Sequence, residues 1–112
     1  MLLPEDGYLL RIFIGEADKH AGQPLYEWIV LQARARGLAG ATVWRGIMGF
    51  GAHSHLHTAK IERLSEDLPI IIELVDTKEK LEAFLPLIDA AIPEGLATLE
   101  KAQIRFYRTS RR

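Results

Sequence analysis

Residues 68–95 read LPIIIELVDTKEKLEAFLPLIDAAIPEG, and in them a strand turns directly into a helix. Leu68 to Val75 has strand character. Ile70, Ile72 and Leu74 share one face at period two, while Ile71 and Val75 share the other with Glu73 between them. Asp76 stands at the expected helix N-cap, and Glu79, three residues on, completes a capping box. Leu81, Phe84, Leu85, Ile88, Ala91 and Ile92 then recur at helical spacing. Pro86 falls inside this pattern. It removes one backbone donor and should kink the helix, although the apolar stripe continues past it. Pro93 and Gly95 end the element.

Outward from this unit the pattern repeats. Tyr8, Leu10, Ile12 and Ile14 form one face of an earlier strand, with Leu9, Arg11 and Phe13 on the other. A strand apolar on both faces is expected in the centre of a sheet. After a loop from Gly15 to Gln23, Pro24 suits the first position of a helix, where its missing N–H costs nothing. Leu25, Ile29 and Ala33 make the apolar stripe, and Gly37 suits the residue after the C-cap. Ala41 to Met48 is expected as a second strand. Ala102, Ile104 and Phe106 alternate with Gln103, Arg105 and Tyr107 as a last one. The segment from Tyr107 to Arg112 is basic and expected to fray.

The order is therefore β-α-β-β-α-β, one α+β domain over residues 1–112 with a ferredoxin-like arrangement. It predicts a four-stranded antiparallel sheet with both helices on one face, because each helix has a single apolar stripe. The other face of the sheet is also apolar in the first and third strands. That leaves more apolar surface than two helices cover, and implies self-association.

Composition narrows the function. The chain has 14 basic and 15 acidic residues and a formal net charge of −1, which argues against a general nucleic-acid binder. It has no cysteine, so thiolate zinc sites, disulfides and thiol nucleophiles are excluded. Its apolar runs are short and interrupted by charge, so no insertion into a membrane is expected. The first residues carry Glu5 and Asp6 and no basic-then-apolar leader, so the default location is cytoplasmic.

Three features can carry chemistry. Gly46, Gly49 and Gly51 follow a strand-like run, where backbone N–H groups can turn toward an anion; a tight turn or bulge explains them equally. There is no Gly-Lys-Ser/Thr, and Ser54 replaces the third glycine of a dinucleotide fingerprint. His53, His55 and His57 alternate, so an extended segment would put three imidazoles on one side, where a divalent metal can bind. The alternative is a solvated loop. Glu73 interrupts an apolar strand and needs a partner or a cleft; an ion pair with Arg11 or Arg105 would supply the partner. Lys60, Arg63, Lys101, Arg105 and Arg108 can meet phosphates or simply face water. No local Ser-His-Asp or Cys-His signature is present, so an enzyme is not expected; a small enzyme on this fold remains the rival reading.

The runs Gly37-Leu38-Ala39-Gly40-Ala41-Thr42-Val43 and Gly49-Phe50-Gly51 resemble the strand and loop base of the PII signalling proteins. Gly15-Glu16-Ala17-Asp18, Gly22 to Glu27, Arg45 to Gly51, His57-Thr58 and Leu64 to Pro69 narrow the resemblance to a PII-like family of unassigned function. It extends from about Leu9 to Phe106. The resemblance implies a homotrimer that binds an adenine nucleotide between subunits and signals through the 52–67 loop. A membrane transporter or channel is the implied partner. The nucleotide's phosphates are expected near Gly49, Phe50 and Gly51, its base near Thr42, Glu73 and Val75, with Lys101 and Arg105 as phosphate cations. The PII loop base continues with Arg-Gln, but here Ala52 and His53 follow Gly51. AMP or ADP is therefore expected in preference to Mg-ATP, and a divalent metal on the histidines is the alternative ligand. Residues 52–67 are expected to be mobile without ligand.

Overall fold

The computed structural model describes residues 6–51, 57–58 (backbone only) and 67–110. Its main sheet has four antiparallel strands: β1 (Asp6–Gly15), β2 (Gly40–Arg45), β3 (Pro69–Asp76) and β4 (Leu96–Gln103). Two helices, α1 (Leu25–Ala35) and α2 (Lys78–Ala91), complete the β-α-β-β-α-β order. Across the sheet the strands run β2-β3-β1-β4. β1 is central, as its two apolar faces require.

The alternation seen in the sequence separates two faces of each strand, and the packing of the helices decides which of them is core. Leu10, Ile12 and Ile14 of β1 and Ile70, Ile72 and Leu74 of β3 are buried against Leu25, Ile29 and Ala33 of α1 and Leu81, Phe84, Ile88 and Ala91 of α2. Leu85 and Ile92 pack at the margin of this core. The opposite face presents Leu9, Arg11 and Phe13 of β1 beside Ile71, Glu73 and Val75 of β3, all half-buried. Both helices cover the same side, so this second face is open in the single chain.

The helix ends follow local chemistry. Pro24 is the N-cap of α1, and Gly37, just past its end, has φ +72°, a conformation that a Cβ would strain. Ahead of α1, Lys19–His20 pairs with Gln23–Pro24 around Ala21 and Gly22, whose φ angles are 51° and 80°. This is the two-residue hairpin turn that needs positive φ twice. Pro86 lies within α2, and the helix runs through it to Ala91.

Four expectations are corrected. Thr77, not Asp76, caps α2: its hydroxyl accepts from Lys80 N at 3.2 Å. Asp76 instead ends β3 opposite Tyr8 and is buried, so no Asp76–Glu79 capping box forms. Its Oδ2 accepts from Ala39 N at 2.8 Å and its Oδ1 from Thr77 N at 2.6 Å, tying the α1–β2 connection to the β3–α2 junction.

The second strand stops at Arg45 rather than Met48. Pro69 is the first residue of β3, so β2 has no partner beyond it; Gly46 N donates to the Pro69 carbonyl at 2.7 Å and the chain turns away. Met48–Gly49 then pairs with His57–Thr58 in a separate short ladder.

The last strand is Leu96–Gln103, earlier than the expected 102–106. Gly95 brings the chain straight into the sheet: a Cβ there would lie 2.7 Å from the Phe13 carbonyl oxygen. The strand runs to Gln103, which pairs with Asp6. A Gly95→Ala substitution forces that backbone contact apart. We expect a loss of about 2–3 kcal/mol, read as a lower midpoint in urea unfolding with an unchanged slope.

The fourth correction concerns Tyr107. Its hydroxyl donates to the Ala39 carbonyl at 2.7 Å, and Ile104 fills the space over Gly7. The chain past β4 is thus held across the end of the sheet at least to Tyr107. Arg111 and Arg112 lie outside the described residues.

Candidate functional site

A cavity of about 360 Å³ opens at one end of the sheet, where Gly15 ends β1, Pro69 begins β3 and Gly46 follows β2. It is bounded by apolar groups, Phe13, Ile71, Met48 and Phe50, and by Gly49, Gly51 and Gly95. Its size is within the range of small-molecule sites, roughly 300–1,000 Å³.

Backbone and side-chain bonds build its wall. Glu16 N donates to the Leu68 carbonyl at 2.8 Å, and Ala17 N to Asp67 Oδ1 at 3.0 Å. Gly15 N donates to Asp18 Oδ2 at 3.0 Å. Arg45 forms an ion pair with Glu16. The Gly15–Asp18 loop therefore grips both Arg45, before the loop segment, and Asp67–Leu68, after it.

The glycines line it for a steric reason. A Cβ at Gly49 would sit 3.0 Å from Pro69 Cγ, whereas one at Gly51 meets nothing within 4 Å among the described residues. Asp18, Asp67 and Glu94 are among the cavity's lining residues, and among the described residues no lysine or arginine lines it.

The expected site residues fall into three groups. Gly49, Phe50 and Gly51 line the cavity together. Thr42, Glu73 and Val75 lie on the open sheet face, with Thr42 directly opposite Glu73. Lys101 and Arg105 are elsewhere. Leu96 sits opposite Phe13 at the cavity end, and Lys101 is five residues further along β4, about 17 Å at strand rise. Its partner Tyr8 places it on the helix-covered side of the sheet. Arg105 is past the strand end, where its Nη1 donates to Gln103 Oε1 at 3.3 Å. Neither reaches the cavity of its own chain.

Of the three histidines, His53 and His55 lie outside the described residues, and His57 is described only through its backbone pairing with Gly49. Among the described residues no group of His, Asp and Glu is arranged to hold a metal ion.

Glu73 has the partner its position demands. Its Oε2 accepts from Arg11 Nε at 2.9 Å and its Oε1 from the Trp44 indole N–H at 3.0 Å. Arg11 also donates from Nη1 to Glu100 Oε1 at 3.0 Å. The hydrogen bond that Arg11 donates to Glu73 raises the Arg11 pKa above its ordinary value, and Glu100 adds to this. Arg11 is therefore charged at every ordinary pH. Sequence reading paired Arg11 with Glu73 as one option but missed Trp44, Phe13, Asp18, Asp67 and Glu94. The signal for Trp44 was its position two residues after Thr42, which places both on one face of β2.

Comparison with known proteins agrees with this architecture. The family model DUF190, described as "Uncharacterized ACR, COG1993", matches residues 7–104. A UPF0166 protein of Aquifex aeolicus (strain VF5) is 38% identical over 96 residues, 86% of this chain and 90% of that protein. A UPF0166 protein of Methanocaldococcus jannaschii is 40% identical over 78 residues, 70% of this chain and 71% of that one. Among solved structures, CPII, a nitrogen regulatory PII-like protein from Thiomonas intermedia K12 bound to ADP, AMP and bicarbonate, is similar with a TM-score of 0.60. The identity is 21%, over 88% of each chain. CPII bound to ADP and bicarbonate gives a TM-score of 0.58 at 22% identity, again over 88% of each chain. At that identity the likeness establishes the PII-like fold. The family match over nearly the whole chain, with relatives sharing more than a third of their residues, makes this protein a member of the DUF190 (UPF0166) family.

Proposed function

We propose that this protein is a PII-like regulator that binds an adenine nucleotide, AMP or ADP rather than Mg-ATP, between the subunits of a homotrimer. The occupied site would set the conformation of the 52–67 loop and so its grip on a partner, with a membrane transporter or channel the partner by analogy. The observation that carries this reading is the cavity at the Gly49–Gly51 loop base, continuous through Ile71 with the open sheet face that holds Glu73. The nucleotides bound by CPII, which shares the fold, support it.

Charge explains why the site would lie between copies. A bound phosphate needs a nearby cation, and among the described residues no lysine or arginine lines the cavity. A neighbouring copy placed on the open face is the source that the proposal assigns, and Lys101 and Arg105 act only in that setting. Ala52 and His53 follow Gly51 where the PII loop base has Arg-Gln, which favours the mono- and diphosphate.

Calorimetry of AMP, ADP, ATP with and without magnesium, and cyclic AMP tests this directly. At least one should bind tighter than about 1 mM, equivalent to about −4 kcal/mol. Gly51→Val should abolish that binding by filling the space beside the loop base. Because no described residue lies within 4 Å of a Cβ there, the fold should survive. If no adenine nucleotide reaches this affinity, the reading is wrong.

A further inference from the structure

We propose that Trp44 is the platform on which the nucleotide's base stacks, and that Glu73 is the residue that positions it; this rests on the nucleotide-binding reading above. Trp44 is on β2 at the edge of the sheet, opposite Ile71, which lines the cavity. Its hydrogen bond to Glu73, an open-face residue, places the indole on the open face beside the cavity. The residue is 55% exposed, and leaving so large an apolar ring in water forgoes a substantial burial gain.

The ring is nevertheless held. Its one polar atom, Nε1, donates to Glu73 Oε1 at 3.0 Å, Glu73 Oε2 is held by Arg11 at 2.9 Å, and Arg11 is anchored in turn by Glu100. This chain of charge-assisted bonds spans all four strands of the sheet. It satisfies the indole N–H within the protein and leaves the π-face open. A preoriented aromatic face stacks a purine at low entropic cost. Both Glu73 oxygens are already engaged, so Glu73 contributes by aiming the ring rather than by binding the base itself. Thr42, on the same strand face two residues away, borders the same surface.

The second tryptophan gives a clean reporter. Trp28 is on α1 and packs against His20 with ring centroids 4.2 Å apart, so a Trp28→Phe protein reports Trp44 alone. In that protein AMP or ADP should quench or shift the emission with the same Kd that calorimetry gives. Trp44→Ala should weaken binding about 5- to 100-fold, the range for losing one base–aromatic stack, and Trp44→Phe should recover part of it. Glu73→Leu should lower the Trp44 anisotropy in the free protein and weaken binding, whereas Glu73→Gln, which keeps an oxygen for the indole N–H, should restore both in part. Calorimetry on the otherwise unaltered protein carries the test if Trp28→Phe does not fold. Nucleotide binding with unchanged Trp44 emission, and with Trp44→Ala within twofold of wild type, overturns the platform and leaves the nucleotide reading standing. So does an emission change that follows dilution of the assembly instead of nucleotide, since Trp44 is then a subunit contact. Absence of any adenine-nucleotide binding by the unaltered protein overturns both.

Discussion

Ile12→Asp should leave no cooperative unfolding transition, while Ile71→Asp should fold and fail to assemble. The two isoleucines lie on strands that neighbour each other, yet they face opposite sides of the sheet. Ile12 is fully buried between the sheet and the helices, opposite Ile72. A carboxylate there loses the apolar contacts of the isoleucine and has no cation in reach. The combined cost exceeds the roughly 4–5 kcal/mol that marks the most damaging substitutions, against a total stability of about 5–15 kcal/mol. Ile71 is half-buried on the open face, opposite Phe13 and Trp44. An aspartate there remains in contact with water in the single chain but would be buried if a second copy covered that face. Circular dichroism melts separate the first effect. Light scattering reads the second, where the wild type should show three times the 12.6 kDa chain mass and Ile71→Asp a single chain. A wild type that stays monomeric at micromolar concentration would remove the trimer from the proposal.

Asp76→Ala is expected to cost about 3 kcal/mol and to lower the melting temperature by roughly 10 °C or more. The carboxylate is 1% exposed and accepts from the backbone N–H groups of Ala39 and Thr77. Alanine leaves both donors without this acceptor, which is more expensive than never having had the bonds. Lys80 Nζ, 3.9 Å from Asp76 and 3.3 Å from the Gly37 carbonyl, loses its charge partner at the same junction. The effect should reach Tyr107, because its acceptor is the carbonyl of the same Ala39. Amide exchange should therefore quicken at Ala39 and near the C-terminus together. Exchange that quickens at Thr77 alone would show that the junction is not the coupled unit drawn here.

Periodicity alone carried the architecture. The alternation of Tyr8 to Ile14 and of Ile70 to Val75, and the stripes Leu25-Ile29-Ala33 and Leu81-Phe84-Ile88-Ala91, assigned the order of elements and the two faces of each strand; the packing of both helices decided which face is core. Periodicity does this much because burial has a period of two on a strand and 3.6 on a helix. The excess of apolar surface on the sheet was legible for the same reason, as was Gly37 at the end of α1. Strand ends were not. Arg45 and Leu96 bound their strands because Pro69 and Phe13 are where the partner strand begins or where it passes Gly95. A partner's end is a non-local fact that no window of sequence contains.

The candidate site divides along the same line. Gly49 to Gly51 and Glu73 stood out because glycine spacing and a lone acid within an apolar strand are local anomalies, and Thr42 came from the resemblance to the PII strand. The sequence also determined the charge balance, the absence of thiol chemistry and the family. Only the tertiary structure decided that Asp18, Asp67 and Glu94 converge on the Gly49–Gly51 cavity, or that Lys101 and Arg105 lie away from it. The same holds for the bond network that joins Arg11, Trp44, Glu73 and Glu100 across four strands. These residues are up to 89 positions apart in the chain. Strand register places them side by side, and register is settled by the packing of the whole sheet against its helices rather than by any one segment.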